Sequence, residues 1–242
     1  MIKKNVGVIG CGKWGKKIIK ELKEISNIKF IYNSKDDYKK FDKNIDWIFI
    51  LTPVNTHYRL AKFFIKKKIN VFCEKPLTNK IEQAKDLIKL SRNLSCKIYI
   101  DDIENFKKKK IKIYKGLNQV IRTKKDTGSM KSLLNRLAYH DFYLLSKHID
   151  LNKIIFLKII NKKKLLNFKN IFKNKTIFNF YYDINSNIRK HLFNKVSLHN
   201  FKNNPIKDML KTVLYKNIDF KNNNLDAIKC IKLISKIKKL IN

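Results

Sequence analysis

Glycine is scarce in this chain, six in 242 residues, and four of the six fall within the first fifteen positions. Arginine is scarce too, present only at 59, 92, 122, 136 and 189, while acidic residues number 19 against 56 basic ones. The resulting formal charge of +37 invites a nucleic-acid role. Dedicated nucleic-acid readers, however, lean on Arg and interleave aromatics with base. Here lysines are spread along the whole chain among Asn and Ile, which argues against a specific nucleic-acid partner. The charge predicts salt-sensitive sticking to polyanions and an attraction for anionic substrates. The run Lys107–Lys110 reads as the solvated face of a helix. The four cysteines, Cys11, Cys73, Cys96 and Cys230, lack C-x-x-C spacing, so neither a zinc site nor a disulfide framework is expected, and no other metal site is suggested. No stretch reaches the ~18 uncharged apolar residues of a membrane span. Met1-Ile2-Lys3-Lys4 leads straight into an apolar run without the pattern of a signal peptide, so the expected location is the cytoplasm.

What is present is enough apolar residue, 44%, for a sizeable core. The clustered glycines also stand in an informative order. Val6-Gly7-Val8-Ile9-Gly10-Cys11-Gly12-Lys13-Trp14-Gly15 is an apolar run ending in G-x-G-x-x-G, followed at once by Ile18, Ile19, Leu22 and Ile25 at helical spacing. This is the strand–turn–helix context of a dinucleotide-binding loop. Gly10 makes the tight turn, Gly12 admits a pyrophosphate close to the backbone, and Gly15 lets helix and strand pack closely. Lys13 and Trp14 lie inside the same loop. The helix that starts there directs free N–H groups at the phosphates.

Strand and helix then alternate up to residue 100, as in a doubly wound parallel sheet. The expected strands are Asn5–Gly10, Ile28–Tyr32, Asp46–Leu51, Asn70–Cys73 and Cys96–Ile100. Helices are expected from about Gly12 to Ser26, from an N-cap at Asn55 or Thr56, and from an N-cap at Thr78 or Asn79 to about Leu94. The second strand ends in Asn33-Ser34-Lys35, where a dinucleotide fold meets the adenosine ribose. An acid there would bind both ribose hydroxyls of NAD. Asn33, Ser34 and Lys35 suit a 2′-phosphate instead, which favours NADP, while Asp36 keeps NAD open.

Three motifs together are specific. The glycine loop, Thr52-Pro53-x-x-Thr56-His57 and Glu74-Lys75-Pro76-Leu77 resemble, in order and spacing, the glucose–fructose oxidoreductase/inositol dehydrogenase (Gfo/Idh/MocA) family. The resemblance covers residues 1–100 and implies an NAD- or NADP-dependent oxidoreductase acting on sugars or nucleotide sugars. It implies a Rossmann domain at 1–100, then at 101–242 a compact α/β domain with an open, largely antiparallel sheet that mediates assembly into a dimer or tetramer. It places Thr52, Pro53, Asn55 and His57 on the nicotinamide side of the cofactor, with Glu74 beside them. Lys75 falls next to nicotinamide and substrate hydroxyl as an acid–base group, which suits a strand-end lysine at the carboxyl edge of the sheet. Taken alone, Lys75 is one lysine among many and His57 an early helix residue.

Past residue 100 the expected elements are a long helix from about Met130 to Ile149, opened by the loop Lys124–Ser129. Strands follow at Ile154–Ile160, Ile177–Asp183 and Ile188–Leu198, and helices at Pro205–Leu214 and Asn224–Ile241. The family's catalytic histidine, in a pattern like Asp-x-Gly-x-His, corresponds to His140 in Arg136-Leu137-Ala138-Tyr139-His140. His140 read alone could equally be a hydrogen-bonded helix residue. The departure is Arg136, which stands where the family has Asp. A cation one turn before His140 would lower the histidine pKa where an acid would raise it. Arg136 also fits an anionic substrate, hence a nucleotide sugar. The competing reading is a catalytically degenerate cofactor sensor or scaffold subunit of the same family.

Overall fold

The computed structural model describes residues 2–33, 35–107, 111–125, 133–162, 164–171, 175–198 and 203–241. The chain divides into two compact units, Met1–Phe106 with Asn204–Ile231, and Lys107–Asn203 with Lys232–Asn242. In chain order the first range holds β1 (Asn5–Ile9), α1 (Lys13–Ile25), β2 (Asn27–Tyr32), β3 (Trp47–Ile50), α2 (Val54–Lys66), β4 (Asn70–Cys73), α3 (Ile81–Asn93) and β5 (Ile98–Ile100). Then come β6 (Gly116–Thr123), a wide π-helical turn (Leu134–Ala138) leading into α4 (Tyr139–Ser146), β7 (Ile155–Lys162), β8 (Leu165–Ile171), β9 (Thr176–Asp183), β10 (Lys190–Phe193) and β11 (Val196–Ser197). Two helices follow, α5 (Pro205–Tyr215) and α6 (Lys221–Leu240).

The first unit is built on a five-stranded parallel sheet of order β2-β1-β3-β4-β5. Its central strand is buried at every position from Trp47 to Ile50, as a strand covered on both faces must be. The register Val6↔Trp47, Val8↔Phe49, Phe49↔Phe72 and Phe72↔Tyr99 puts these side chains on one face. There they form one buried cluster with Ile18, Leu22 and Ile25 of α1 and with Met209, Leu210, Val213 and Leu214 of α5. Each such side chain contributes roughly 1.5–3 kcal/mol when fully buried. Helix α5 therefore returns to the first unit, whereas the sequence suggested one cut at residue 100. Its apolar stripe completes the cover over β1 and β3, which α1 alone leaves unfinished.

The second unit holds a six-stranded sheet of order β11-β10-β6-β9-β8-β7. β6 and β9 pair in parallel and the other neighbours are antiparallel. The two units thus carry the expected Rossmann sheet and the expected open, largely antiparallel sheet. On the inner face Leu166, Phe168, Phe178, Phe180 and Tyr182 are buried, and Phe142 of α4 lies over Phe168 and Phe180 with ring centroids 6.1 and 5.4 Å away.

Several local expectations change. Strands β6 and β8 were not anticipated: in β8 Asn167 and Lys169 stand on outer positions, and in β6 the polar Asn118 and Arg122 fill buried inner positions, so the period of two is masked in both. The expected strand 188–198 is a hairpin: Asn194 and Lys195 have φ of 46° and 71°, the paired positive values of a two-residue type I′ turn. The caps of α2 and α3 are Pro53 and Lys80, without side-chain hydrogen bonds, in place of Asn55 or Thr56 and Thr78 or Asn79. Thr78 Oγ1 donates to Lys80 O at 2.6 Å and so serves the loop. The long helix near 140 is described from residue 133, and its first turns are π-helical. Residues 108–110 of the lysine run and 126–132 of the preceding loop lie outside the described residues. Among the described residues no helix is long and apolar enough to cross a membrane, and no group of His, Cys, Asp and Glu could hold a metal ion.

Candidate dinucleotide site

Four loops leave the carboxyl edge of the parallel sheet, and the ladder continues one residue into each. Gly10 N donates to Tyr32 O, Leu51 N to Ile9 O, Glu74 N to Ile50 O and Asp101 N to Cys73 O, all at 2.8–2.9 Å. This row brings the glycine loop, Thr52, Glu74-Lys75 and Asp101 to a single edge, the place where open α/β sheets bind ligands.

Gly10 has φ of +105°, and a Cβ there would stand 2.6 Å from the Leu51 carbonyl carbon. Gly15 lies under it so closely that a Cβ would be 2.3 Å from Gly10 O. At Gly12 a Cβ would meet nothing within 4 Å, so the backbone faces open space where α1 begins. Gly12 caps that helix without a side-chain bond, the first turn holds no acid, and Lys13 is exposed within it. Unclaimed N–H groups, a positive helix end and a cradle clear of side chains fit the pyrophosphate of a nicotinamide dinucleotide.

At the end of β2, Asn33 is exposed and its Oδ1 accepts from Lys35 N at 2.9 Å. Asp36 Oδ2 accepts from Asn33 N at 2.6 Å, which folds a carboxylate back onto the strand end. Ser34 lies outside the described residues. On the loop after β3, Thr52 and Thr56 share a 2.6 Å hydroxyl contact, and Pro53 and Asn55 are exposed.

His57 is 1% exposed, with Nε2 2.7 Å from Thr52 O and Nδ1 2.9 Å from Pro76 O. A neutral ring donates through one nitrogen only. Burial holds its pKa below the usual value, assisted by the Lys75 charge and opposed by the carbonyls. His57 therefore ties the Thr52 loop to the Glu74–Pro76 loop with its ring inside the protein.

Lys75 is half-buried after β4. Glu74 Oε2 is buried without a hydrogen-bond partner. Burial, with the charge of Asp101 adding to it, pushes the Glu74 carboxyl up to about 8 against the pull of Lys75. Burial likewise raises Asp101 to about 6, although its Oδ1 accepts from Ile103 N at 3.1 Å and its Oδ2 from Trp14 Nε1 at 2.9 Å. The indole of Trp14 thus reaches across from α1 to the end of β5. Sequence reasoning missed Asp101; the signal available was a pair of acids directly after an apolar strand.

In the second unit, Arg136 is exposed in the π-helical turn and His140 is half-buried at the start of α4. The next residue, Asp141, is buried and was not anticipated. Arg122 Nη2 of β6 donates to its Oδ1 at 2.9 Å, His191 Nε2 of β10 lies 2.7 Å from the same oxygen, and the Tyr182 hydroxyl of β9 donates to Oδ2 at 3.0 Å. Burial alone would raise this carboxyl, yet the charges of Arg122 and His191 outweigh it and hold the pKa at about 2. Three strands therefore anchor the first turn of the helix that carries His140.

Residues 21–101 match the GFO_IDH_MocA family, described as an oxidoreductase family with an NAD-binding Rossmann fold. No curated protein sequence matches the chain. Among solved structures, the UDP-N-acetylglucosamine 3-dehydrogenase GnnA from Acidithiobacillus ferrooxidans superposes with a TM-score of 0.82 at 14% identity, over all of this chain and 98% of that one. The dehydrogenase MviM from Clostridium difficile gives 0.80 at 16% identity, over 99% and 100% of the two chains. A variant of the 3-ketoreductase KijD10 from Actinomadura kijaniata, in complex with NADP, gives 0.75 at 10% identity and 98% of each chain. These likenesses extend the shared fold through the second unit, beyond the matched segment. That segment, which runs from within α1 to Asp101, is similar to the Gfo/Idh/MocA oxidoreductase family.

Proposed function

We propose that this protein is an NAD(P)-dependent oxidoreductase that moves a hydride between the nicotinamide and a hydroxyl or ketone carbon of a sugar or nucleotide sugar. The observation that carries this reading is the open cradle at Gly12, set at the start of α1 and on the sheet edge that also bears Lys75. When bound, the dinucleotide supplies the hydride chemistry. The protein's own part is to hold the pyrophosphate at Gly10, Gly12 and Gly15 and to manage the hydroxyl proton. Lys75 is assigned the proton transfer at the substrate oxygen, and His140 a second acid–base role. Arg136 is assigned to an anionic substrate, and GnnA, named for a nucleotide sugar, supports that class. Asn33 and Lys35 support NADP, and Asp36 at the same strand end supports NAD. Assembly through the second unit's outer sheet face, where Leu117 and Ile155 are 54% and 55% exposed, and a cytoplasmic location belong to the same proposal.

The test is Lys75→Ala. Turnover should fall by roughly two to four orders of magnitude with the dinucleotide Kd almost unchanged. Unchanged turnover would remove Lys75 from the reaction. Arg136, in place of an acid, favours the sensor reading as the competitor, and that reading predicts saturable dinucleotide binding with no turnover on any nucleotide sugar.

A further inference from the structure

Beside the amino edge of the parallel sheet, opposite the edge that bears the glycine loop, the first unit carries two hollows. One, of about 310 Å³, lies among the end of α3, the residues leading into β5 and the α5–α6 connection, where Lys97, Asn217, Asp219 and Phe220 line it. The other, of about 210 Å³, lies between α3 and α6 over Ile88, Leu225 and Ile228. Arg92 and Asn224 line both. The larger hollow is polar and cationic. Lys97 Nζ donates to Asn217 Oδ1 at 3.2 Å and stands 5.9 Å from the centre of the Phe220 ring. Helix α6 begins here with no acid in its first turn, which adds the positive end of a helix dipole. The Oδ1 of Asp219 is occupied by Lys221 N at 2.8 Å. The smaller hollow is apolar, with Leu225 41% exposed, and exposed Lys85 and Lys89 border it. Asn224 is 6% exposed, and its Oδ1 is buried with no hydrogen-bond partner. Its main-chain N–H is already used within α6, donating to Phe220 O at 2.9 Å. A buried amide oxygen left unpaired destabilises a fold, so it needs an explanation. The χ2 torsion of Asn is broad, and a turn about it aims the amide at either hollow. With one acceptor and two donors, a side-chain amide is the complement of a main-chain peptide unit.

We propose that the two hollows form one docking groove for an extended peptide segment of an acidic partner. Apolar side chains of the segment rest on Ile88, Leu225 and Ile228, a main-chain N–H pairs with Asn224 Oδ1, and carboxylates meet Arg92 and Lys97. Charge selects the occupant. Lys85, Lys89, Arg92 and Lys97 border the groove, and they repel a second copy of this chain, whose formal charge is +37. The hydride chemistry at the carboxyl edge takes no part, so the groove stands or falls separately from the dinucleotide site.

Fluorescence anisotropy of the full chain with fluorescein-labelled Gly-Leu-Leu-Glu-Glu tests this, at about 0.15 M salt, where charges are screened beyond about 8 Å. Binding should saturate and be unchanged by NADH or NADPH. It should weaken about tenfold or more when lysines replace the glutamates of the probe, or when both leucine amides are N-methylated. Arg92→Glu, an exposed change, should weaken it about tenfold with the melting temperature held. Asn224→Leu separates a docking residue from a structural one. It should bind the probe about tenfold more weakly yet melt at the wild-type temperature or a few degrees above, since it removes the orphaned amide and Leu favours a helix. No saturable binding below about 1 mM, or equal binding of the lysine peptide, overturns the proposal. So does unchanged affinity in Asn224→Leu, or a lower melting temperature of that variant, which would show the amide to be partnered within the fold.

Discussion

Replacing Asp141 by Asn keeps the shape of the side chain and removes one charge from a buried cluster of four groups. The carboxylate accepts from Arg122 and Tyr182 and lies 2.7 Å from His191. Its pKa, lowered from 3.8 to about 2, means that the folded protein prefers the ionised over the neutral carboxyl by about 2 kcal/mol. Asn resembles the neutral form and also turns an N–H₂ group toward a donor, while the Arg122 guanidinium stays buried without its counter-charge. Removing one partner of a buried ion pair costs about 3–5 kcal/mol, so a loss of about 2–4 kcal/mol is expected. Urea unfolding at neutral pH would measure it, and hydrogen exchange at the β6 and β9 amides would assign it to the second unit. Arg122→Met combined with Asp141→Asn should cost less than the sum of the two single changes, because no charge is then orphaned. The sign with pH is fixed as well: a depressed carboxyl contributes stability above its unfolded pKa and loses it as pH falls through the folded one. Wild type and Asp141→Asn should therefore converge between about pH 4 and pH 2. A loss below about 0.5 kcal/mol at neutral pH, or strict additivity of the two changes, would refute the ion-pair account.

Gly12→Ala should leave thermal stability unchanged, since the new methyl meets nothing, yet weaken dinucleotide binding about tenfold or more by filling the cradle, as calorimetry would read. Gly10→Ala, at φ +105° and against the Leu51 carbonyl, should instead destabilise the first unit by roughly 2–4 kcal/mol in urea unfolding. His57 is held neutral, so its share of stability is full above an unfolded pKa of about 6.5 and is lost as pH falls below it; melts of His57→Gln should lack that dependence. Glu74 has the opposite sign. Raised to about 8, it stabilises at low pH and loses that contribution as pH climbs, so Glu74→Gln should be more stable than wild type at pH 9 by roughly 2–4 kcal/mol and should match it below pH 5.

The parallel half of the fold was legible because its signals are local. Trp47–Ile50 is apolar without a break, the α1 stripe has a clean helical period, and three glycines at fixed spacing specify a turn, a cradle and a close contact. The second sheet was harder to read because Lys169 and Asn167 on β8 face outward among isoleucines, blurring the alternation that marks a strand. The hairpin at Asn194-Lys195 uses positive φ without glycine, which hid the turn. Site residues were visible where a motif named them and invisible where only pairing of strands brings them together. Asp101 meets Glu74 through the β4–β5 register, and Asp141 meets Arg122, Tyr182 and His191 through three strands distant in sequence. His57 illustrates the reverse: its motif was readable, but its two carbonyl partners and its burial exist only in the fold.

The most direct measurement is a titration of the purified protein with NADH and with NADPH, following nicotinamide fluorescence, with Gly12→Ala in parallel. The account predicts saturable, one-to-one binding of at least one of the two, weakened about tenfold or more in Gly12→Ala although that variant is fully folded. Absence of saturable binding to either dinucleotide, or equal affinity in the wild type and Gly12→Ala, would contradict the assignment of the glycine loop as the cofactor site.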